Sequence, residues 1–189
     1  MSAGRTAALA GQLRLAHPGS RIRTHAAADD EFCRSLFREE RAAQFAPLDL
    51  GDGALRAMLD QQFEAQRMAT TRRFPDAEAF IIAHAGRDVG RLIVTFRAGS
   101  PAASEGTASR PSDSPTLHLI DLALAPAARN CGIGSDVINS LARAGHALGA
   151  KHFTLSVLQS NEAARRLYGR LGFSTAADGV YSAMVRHLE

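Results

Sequence analysis

The chain has 189 residues, 46% of them apolar and 22% charged, which suits one domain with its own core and excludes a disordered composition. The net charge is only +3, and two cysteines, Cys33 and Cys131, are too few for a disulfide framework or a cysteine-held zinc site. No apolar run reaches the ~18 residues that span a bilayer and the start lacks a signal-peptide pattern, so a cytoplasmic protein is expected.

Residues 1–20 are rich in Ala, Gly and Arg without sustained periodicity, and end in His17-Pro18-Gly19-Ser20. They are expected to form a flexible basic arm, with residues 21–189 as a single domain. Arg5, Arg14, Arg21 and Arg23, with no acid among them, give the first 25 residues a charge of +4 and leave the remainder at −1. The basic balance thus belongs to the arm, which has no interleaved aromatics, and no nucleic-acid partner is expected.

Arg21 to His25 reads as a short strand. Asp29 and Asp30 are N-cap candidates for a helix carrying Phe32, Leu36 and Phe37. A second helix runs from about Asp52 to Arg73, with Leu55, Leu59 and Phe63 recurring every four residues as one buried stripe. Ala79–Ala85 and Val89–Arg97 read as a hairpin turning at Gly86-Arg87-Asp88. Over 99–115, ten of 17 positions are Ser, Pro or Gly, so a long flexible loop is expected there. Thr116–Leu124 is a strongly apolar strand, followed by a helix after Gly134, a strand over His152–Leu158, a helix over Asn161–Leu171 and a closing strand pair turning at Asp178-Gly179. Strand–helix–strand–helix with short links implies parallel strands at the centre of an otherwise hairpin-paired sheet.

After the strand at 116–124 comes Arg129-Asn130-Cys131-Gly132-Ile133-Gly134-Ser135. Two glycines at the start of a helix let the chain turn tightly and aim several N–H groups at one point, where the helix dipole also favours a phosphate. A Walker loop is excluded because no Lys follows the glycines. A dinucleotide fingerprint is excluded because Val137 takes the third glycine's place and no acid occurs over 151–155. About 30 residues on lies Asn161-Glu162-Ala163-Ala164-Arg165-Arg166-Leu167-Tyr168-Gly169-Arg170-Leu171-Gly172-Phe173. Read alone, it is an N-capped amphipathic helix with Gly172 just past its end.

Together, in this order, the two pieces resemble the GNAT superfamily of acyl-CoA-dependent N-acetyltransferases. The family's [QR]-x-x-G-x-[GA] loop is matched by Arg129, Gly132 and Gly134. Its N-x-x-A-x-x-[LF]-Y-x-x-x-G-F pattern is matched by Asn161, Ala164, Leu167, Tyr168, Gly172 and Phe173. The resemblance implies an α/β fold: a mixed central sheet of about six to seven strands flanked by about four helices, with two central parallel strands splayed around the cofactor. It implies acetyl-CoA as co-substrate, its pyrophosphate on residues Asn130, Cys131, Gly132, Ile133, Gly134 and Ser135 with Arg129 at the edge. It also implies pantetheine paired with backbone at Leu122, Ala123 and Leu124, with Asn161 and Tyr168 as further cofactor contacts. The reaction would be direct transfer to an amine, without an acyl-enzyme.

Tyr168 resembles the family's general acid, which protonates the departing thiolate. Ser156 stands where many members carry a basic Glu and cannot replace it. The matching position on the other central strand is His118, whose ordinary pKa near 6.5 suits a base. Asp121 is the other ionisable group there, but strand alternation puts it on the opposite face unless a bulge intervenes. A water-relayed base, or an amine arriving neutral, stays equally open. Cys131 has no part in such a mechanism, and the histidines show no metal-ligand spacing, so no metal is expected. The acceptor would lie over the first two helices of the domain and the hairpin, near Arg38–Arg41 and Phe63–Arg67. It is an amine-bearing small molecule, peptide or protein; no membrane partner is expected, and a homodimer stays open. A catalytically degenerate acyl-CoA-binding sensor or interaction module is the alternative that Ser156 would favour.

Overall fold

The strands form one seven-stranded sheet, ordered β1-β2-β3-β4-β5-β7-β6. The computed structural model describes residues 2–45, 47, 51–98 and 115–189. In chain order these form α1 (Ser2–Gln12), β1 (Ser20–Thr24), α2 (Asp30–Phe45), α3 (Asp52–Arg73), β2 (Glu78–His84), β3 (Arg87–Ala98), β4 (Pro115–Leu124), α4 (Ile133–Ala147), β5 (His152–Leu158), α5 (Glu162–Arg170), β6 (Ser174–Ala177) and β7 (Tyr181–His187). Only β4 and β5 run parallel; the other neighbours are antiparallel. The loop expected over 99–115 lies outside the described residues except for Pro115, which opens β4. The first hairpin turns at Ala85–Gly86 (φ +48° and +79°), earlier than the expected Gly86-Arg87-Asp88, because a two-residue connection needs that left-handed pair.

Two cores sandwich the sheet. On one face Ile133, Val137, Ile138 and Leu141 of α4 pack on Leu92, Val94, Leu117, Leu119 and Phe153. On the other, Cys33 and Phe37 of α2 and Leu59 and Phe63 of α3 close over Ile81. Helices α2 and α3 are tied together by Phe37 against Phe63 (ring centroids 5.5 Å apart, edge-on) and by Arg38 to Asp60 (2.6 Å) and Arg34 to Glu64 (2.8 Å). The Asp29 carboxylate accepts from both Arg23 Nη atoms and from the Ala26 amide, so β1 is stapled to the start of α2.

The expected flexible arm is corrected. Residues 2–12 form α1, with Leu9 fully buried and Leu13, just beyond its end, nearly so in the α4-side core. The segment continues along α4, where the Arg14 amide donates to Ser140 Oγ (2.9 Å) and the His17 amide to Asp136 Oδ2 (2.8 Å). The described chain therefore has five helices where about four were expected. Among the described residues no helix is long and apolar enough to cross a membrane, and no cluster of three or more His, Cys, Asp or Glu could hold a metal ion.

Candidate active site

Strands β4 and β5 pair from Thr116–His152 to Leu119–Leu155 and then part, while β4 stays on β3 as far as Leu124 and β5 stays on β7 as far as Leu158. The parting begins at a bulge. Ile93 opposes Asp121 and Val94 opposes Leu119, which leaves Ile120 as an extra residue on β4. Beyond it the Ala125 amide donates to Val89 O (2.8 Å), which fixes the antiparallel alternation. Ala123 is then hydrogen-bonded to Arg91, whereas Leu122 and Leu124 direct their N–H and C=O groups into the gap. Gly90 permits this close approach: a Cβ there would lie 2.6 Å from both Ala123 O and Leu124 Cδ2.

The gap ends at the glycine-rich loop. Gly132 (φ +88°) caps α4, whose first backward bond runs from the Asp136 amide to Gly132 O, leaving the amides of 133–135 without a helical acceptor. A groove of about 420 Å³ opens there between Leu124, Arg129, Asn130, Gly132, Gly134 and Ser135 on one wall and Ala163, Ala164, Leu167 and Arg170 of α5 on the other. Behind the loop, His17 Nε2–H donates to Cys131 O (2.9 Å), so the N-terminal segment buttresses the turn.

The side chains of several expected contact residues lie away from the groove, which leaves their backbone groups as the possible contacts. The Ile133 side chain is fully buried in the core, and Ala123 is buried as well. The Cys131 side chain borders a separate cavity with His84 and Ala128, its Sγ donating to Arg129 O. Asn161 Oδ1 accepts from the Ala164 amide (3.1 Å) as the N-cap of α5 and does not line the groove.

Five ionisable side chains gather around the parting strands. Arg91, nearly buried on β3, donates to Asp121 Oδ2 through Nε (2.9 Å), with Nη2 2.7 Å from the same oxygen in an ion pair and its guanidinium 5.7 Å from the Phe63 ring. Burial, with the Asp121 carboxylate adding to it, pushes the Tyr168 phenol up to about 12, and its ring meets Phe173 edge-on. Arg129 Nε donates to Leu124 O (2.8 Å) while Nη2 stands 3.6 Å from Glu40 Oε1. Burial and the nearby Asp121 push the Glu40 carboxyl above the ordinary carboxylate range.

The bulge carries Asp121 onto the face of His118, the condition under which the two could share a site. Yet His118 lies where β4 and β5 are still paired, opposite Thr154. The Thr154 hydroxyl donates to Leu117 O (3.3 Å), so it accepts from His118 Nδ1 (2.9 Å). The His118 ring stacks obliquely on Phe74 at 5.6 Å. Burial, reinforced by Arg97 and Arg73, pulls it down to about 4, so the near-neutral base expected there is not what the fold provides.

On the same face, a cavity of about 270 Å³ lies over β2 and β3, lined by Phe63, Gln66, Arg67, Thr70, Phe74 and Arg91. It coincides with the expected acceptor region at Phe63–Arg67. Arg38, by contrast, is spent on Asp60 and Glu31.

A family model described as the GNAT acetyltransferase family matches residues 38–173. The chain belongs to the GNAT acetyltransferase family. Solved structures agree on the fold. This GNAT chain superposes on the PaiA N-acetyltransferase of Thermoplasma acidophilum in complex with coenzyme A (TM-score 0.62, 14% identity, covering 89% of this chain and 98% of that one). It superposes similarly on an acetyltransferase of Thermus thermophilus (TM-score 0.59, 18% identity, 89% and 97% covered). A third match is YncA of Salmonella typhimurium with its cofactor acetyl-CoA (TM-score 0.51, 16% identity, 90% and 95% covered). No curated protein matches the sequence.

Arg170 and Arg91 of the candidate site of this GNAT chain were not expected, and Glu40 was covered only as part of the Arg38–Arg41 stretch beside the acceptor, with no role of its own. Arg170 follows Ala163 and Leu167 at helical spacing, so the period of 3.6 could have placed it on the groove wall. Arg91 and Glu40 carried no such signal, because charges on a strand and on an exposed-looking helix read as solvated positions.

Proposed function

We propose that this GNAT protein binds acetyl-CoA in the gap between β4 and β5 and transfers its acetyl group directly to an amine, without an acyl-enzyme. The observation that carries the reading is the parting of β4 from β5 at the Ile120 bulge, which turns the backbone of Leu122 and Leu124 into a gap ending on the α4 N-terminus. The family relationship, and the coenzyme A and acetyl-CoA in the names of the PaiA and YncA structures, support the same co-substrate.

In this reading the pyrophosphate rests on the amides of 133–135, flanked by Arg129 and Arg170, where partial positive charge and guanidinium groups converge. Pantetheine adds to β4 as an extra strand through Leu122 and Leu124. The Leu124 N–H stabilises the charge that grows on the thioester oxygen as the amine attacks. Tyr168 stays protonated across neutral pH, because burial and Asp121 both oppose its ionisation. It donates its proton to sulfur as the C–S bond breaks. Asp121 is neutralised by Arg91, and the pair forms a fixed polar floor between the gap and the Phe63–Phe74 cavity, which receives the body of the acceptor. Holding amine and thioester in register supplies much of the rate.

Detection of free thiol released from acetyl-CoA across a panel of amines tests the reading. Amine-dependent release is expected. Tight acetyl-CoA binding with no release on any amine would instead establish the sensor reading that Ser156 favours, and absence of acetyl-CoA binding would refute the gap as cofactor site.

A further inference from the structure

The acetyl-transfer reading leaves unassigned the group that takes the proton from the incoming amine, and the inference here rests on that reading. We propose that Glu40, on α2, is that proton acceptor and that the acceptor substrate is a primary amine arriving as an ammonium ion.

Position comes first. Arg129 bonds Leu124 O at 2.8 Å and stands 3.6 Å from Glu40 Oε1, so one guanidinium links the Glu40 carboxylate to the Leu124 backbone, which the acetyl-transfer reading sets against the thioester. Helix α2 lies across the sheet toward β4, which brings its last acidic side chain to the open part of the strand and its first, Asp30, to the far edge beside His25. The alternatives are engaged elsewhere. Asp121 is held in a close ion pair by Arg91, whose Nε donates to Oδ2 and whose Nη2 stands 2.7 Å from the same oxygen. His118 is turned to Thr154 and Phe74 in the closed part of the strand pair. Glu40, by contrast, meets Arg129 at a separation longer than a hydrogen bond, so the pair leaves its oxygens acceptor capacity.

The charged surroundings suit the role. Facing Glu40 are Arg129 after β4, Asp121 on β4, Arg91 on β3 and Arg41 on α2 itself, with Tyr168 of α5 beyond Asp121. Burial and the second carboxylate raise the proton affinity of Glu40 toward that of a useful base.

The proton balance closes. An ammonium N–H proton passes to the Glu40 carboxylate, and the freed lone pair forms the C–N bond at the thioester carbonyl. The nitrogen then loses its second proton to water as the C–S bond breaks. Sulfur takes the Tyr168 proton, and Tyr168 and Glu40 return to their resting states by exchange with solvent. Acetyl amide, free thiol and one net proton are released.

The test uses the best amine of the panel, assayed below and above its own pKa, with acetyl-CoA affinity measured alongside. E40Q should lose about 100-fold in kcat/KM where the amine is protonated. It should recover to within about fivefold of wild type where solution has already removed the proton, with acetyl-CoA affinity unchanged. E40A should regain activity with added formate, a small carboxylate that can replace the missing base. An equal loss at every pH, or a loss that follows acetyl-CoA affinity, would overturn the assignment and make Glu40 a positioning residue for Arg129. Thiol release from no amine by the wild-type protein would overturn the acetyl-transfer reading together with this one, whereas wild-type turnover with parallel E40Q profiles removes this one alone.

Discussion

His118 and Asp121 stand three residues apart on β4 yet face the same side of the sheet, because the bulge at Ile120 adds one residue to the alternation between them. Asp121 pairs with Arg91 beside Phe63, and His118 packs on Phe74, so both look toward α3 and the turn that follows it. Shared facing does not give shared chemistry. The bulge lies between them, and only Asp121 is on the open side of it.

His118→Gln is accordingly expected to keep kcat/KM within about threefold of wild type, with the same pH profile from 6 to 9. Its effect belongs to stability. Burial lowers the His118 pKa to about 4 from the ordinary 6.5, so the unfolded chain binds a proton that the folded one refuses. Stability from this group is present above about pH 6.5 and is lost as pH falls toward 4, with a slope of up to about 1.4 kcal/mol per pH unit. Urea unfolding at several pH values should show this slope in the wild type and its reduction in the variant. A shifted activity profile would return His118 to the chemistry.

Tyr168→Phe removes the hydroxyl proposed as proton donor and keeps the edge-on packing against Phe173. A fall in kcat of about 100-fold or more is expected, with acetyl-CoA affinity nearly unchanged. On the alkaline side, wild-type activity should hold until very alkaline pH, since burial and Asp121 keep the Tyr168 phenol protonated. Steady-state kinetics together with calorimetric titration of acetyl-CoA separate the two quantities, and an unchanged kcat would remove the general-acid role.

What was legible in the sequence follows from the range of the interactions. The glycine loop and the α5 helix could be read because their geometry is local: a turn, a helix start and a 3.6-residue stripe. The strands were legible by alternation, and the parallel pair by the helix that joins it. The Ile120 bulge was hidden because an extra apolar residue in T-L-H-L-I-D-L-A-L leaves no break in composition. Glu40 was hidden for a different reason. On its own helix it is one of several alternating charges, and it becomes a site residue only when α2 crosses to β4, a contact no local pattern encodes. The first helix was misread because its small residues dilute the signal, leaving Leu9 and Leu13 as a single i, i+4 pair.

Gly134→Asp puts a carboxylate on the groove wall beside Ser135, at the N-terminus of α4. The fold should tolerate it, since a Cβ at this position meets only Leu124 Cδ1, at 3.5 Å. The helix dipole that would favour a phosphate is then answered by the protein's own anion. Acetyl-CoA affinity is expected to fall more than 100-fold while the melting temperature stays within about 3 °C of wild type. Retained micromolar affinity in a folded variant would place the pyrophosphate elsewhere.

Leu9→Ala tests whether the first helix belongs to the fold. Leu9 is fully buried in the core cluster that includes Ile133, Val137 and Leu141 of α4, and the segment after it reaches the back of the glycine-rich loop through His17. Truncating a Leu in such a core costs about 2–4 kcal/mol, from lost transfer free energy and the cavity left behind. In a chain of this length that lowers the melting temperature by about 6–12 °C. Because His17 holds Cys131 O and Asp136, loosening α1 should also weaken acetyl-CoA binding, by a smaller factor than Gly134→Asp does. Thermal unfolding and titration of the same preparation measure both effects. A change below about 0.5 kcal/mol, the range of an exposed substitution, would restore the first 20 residues to the status of a loose arm.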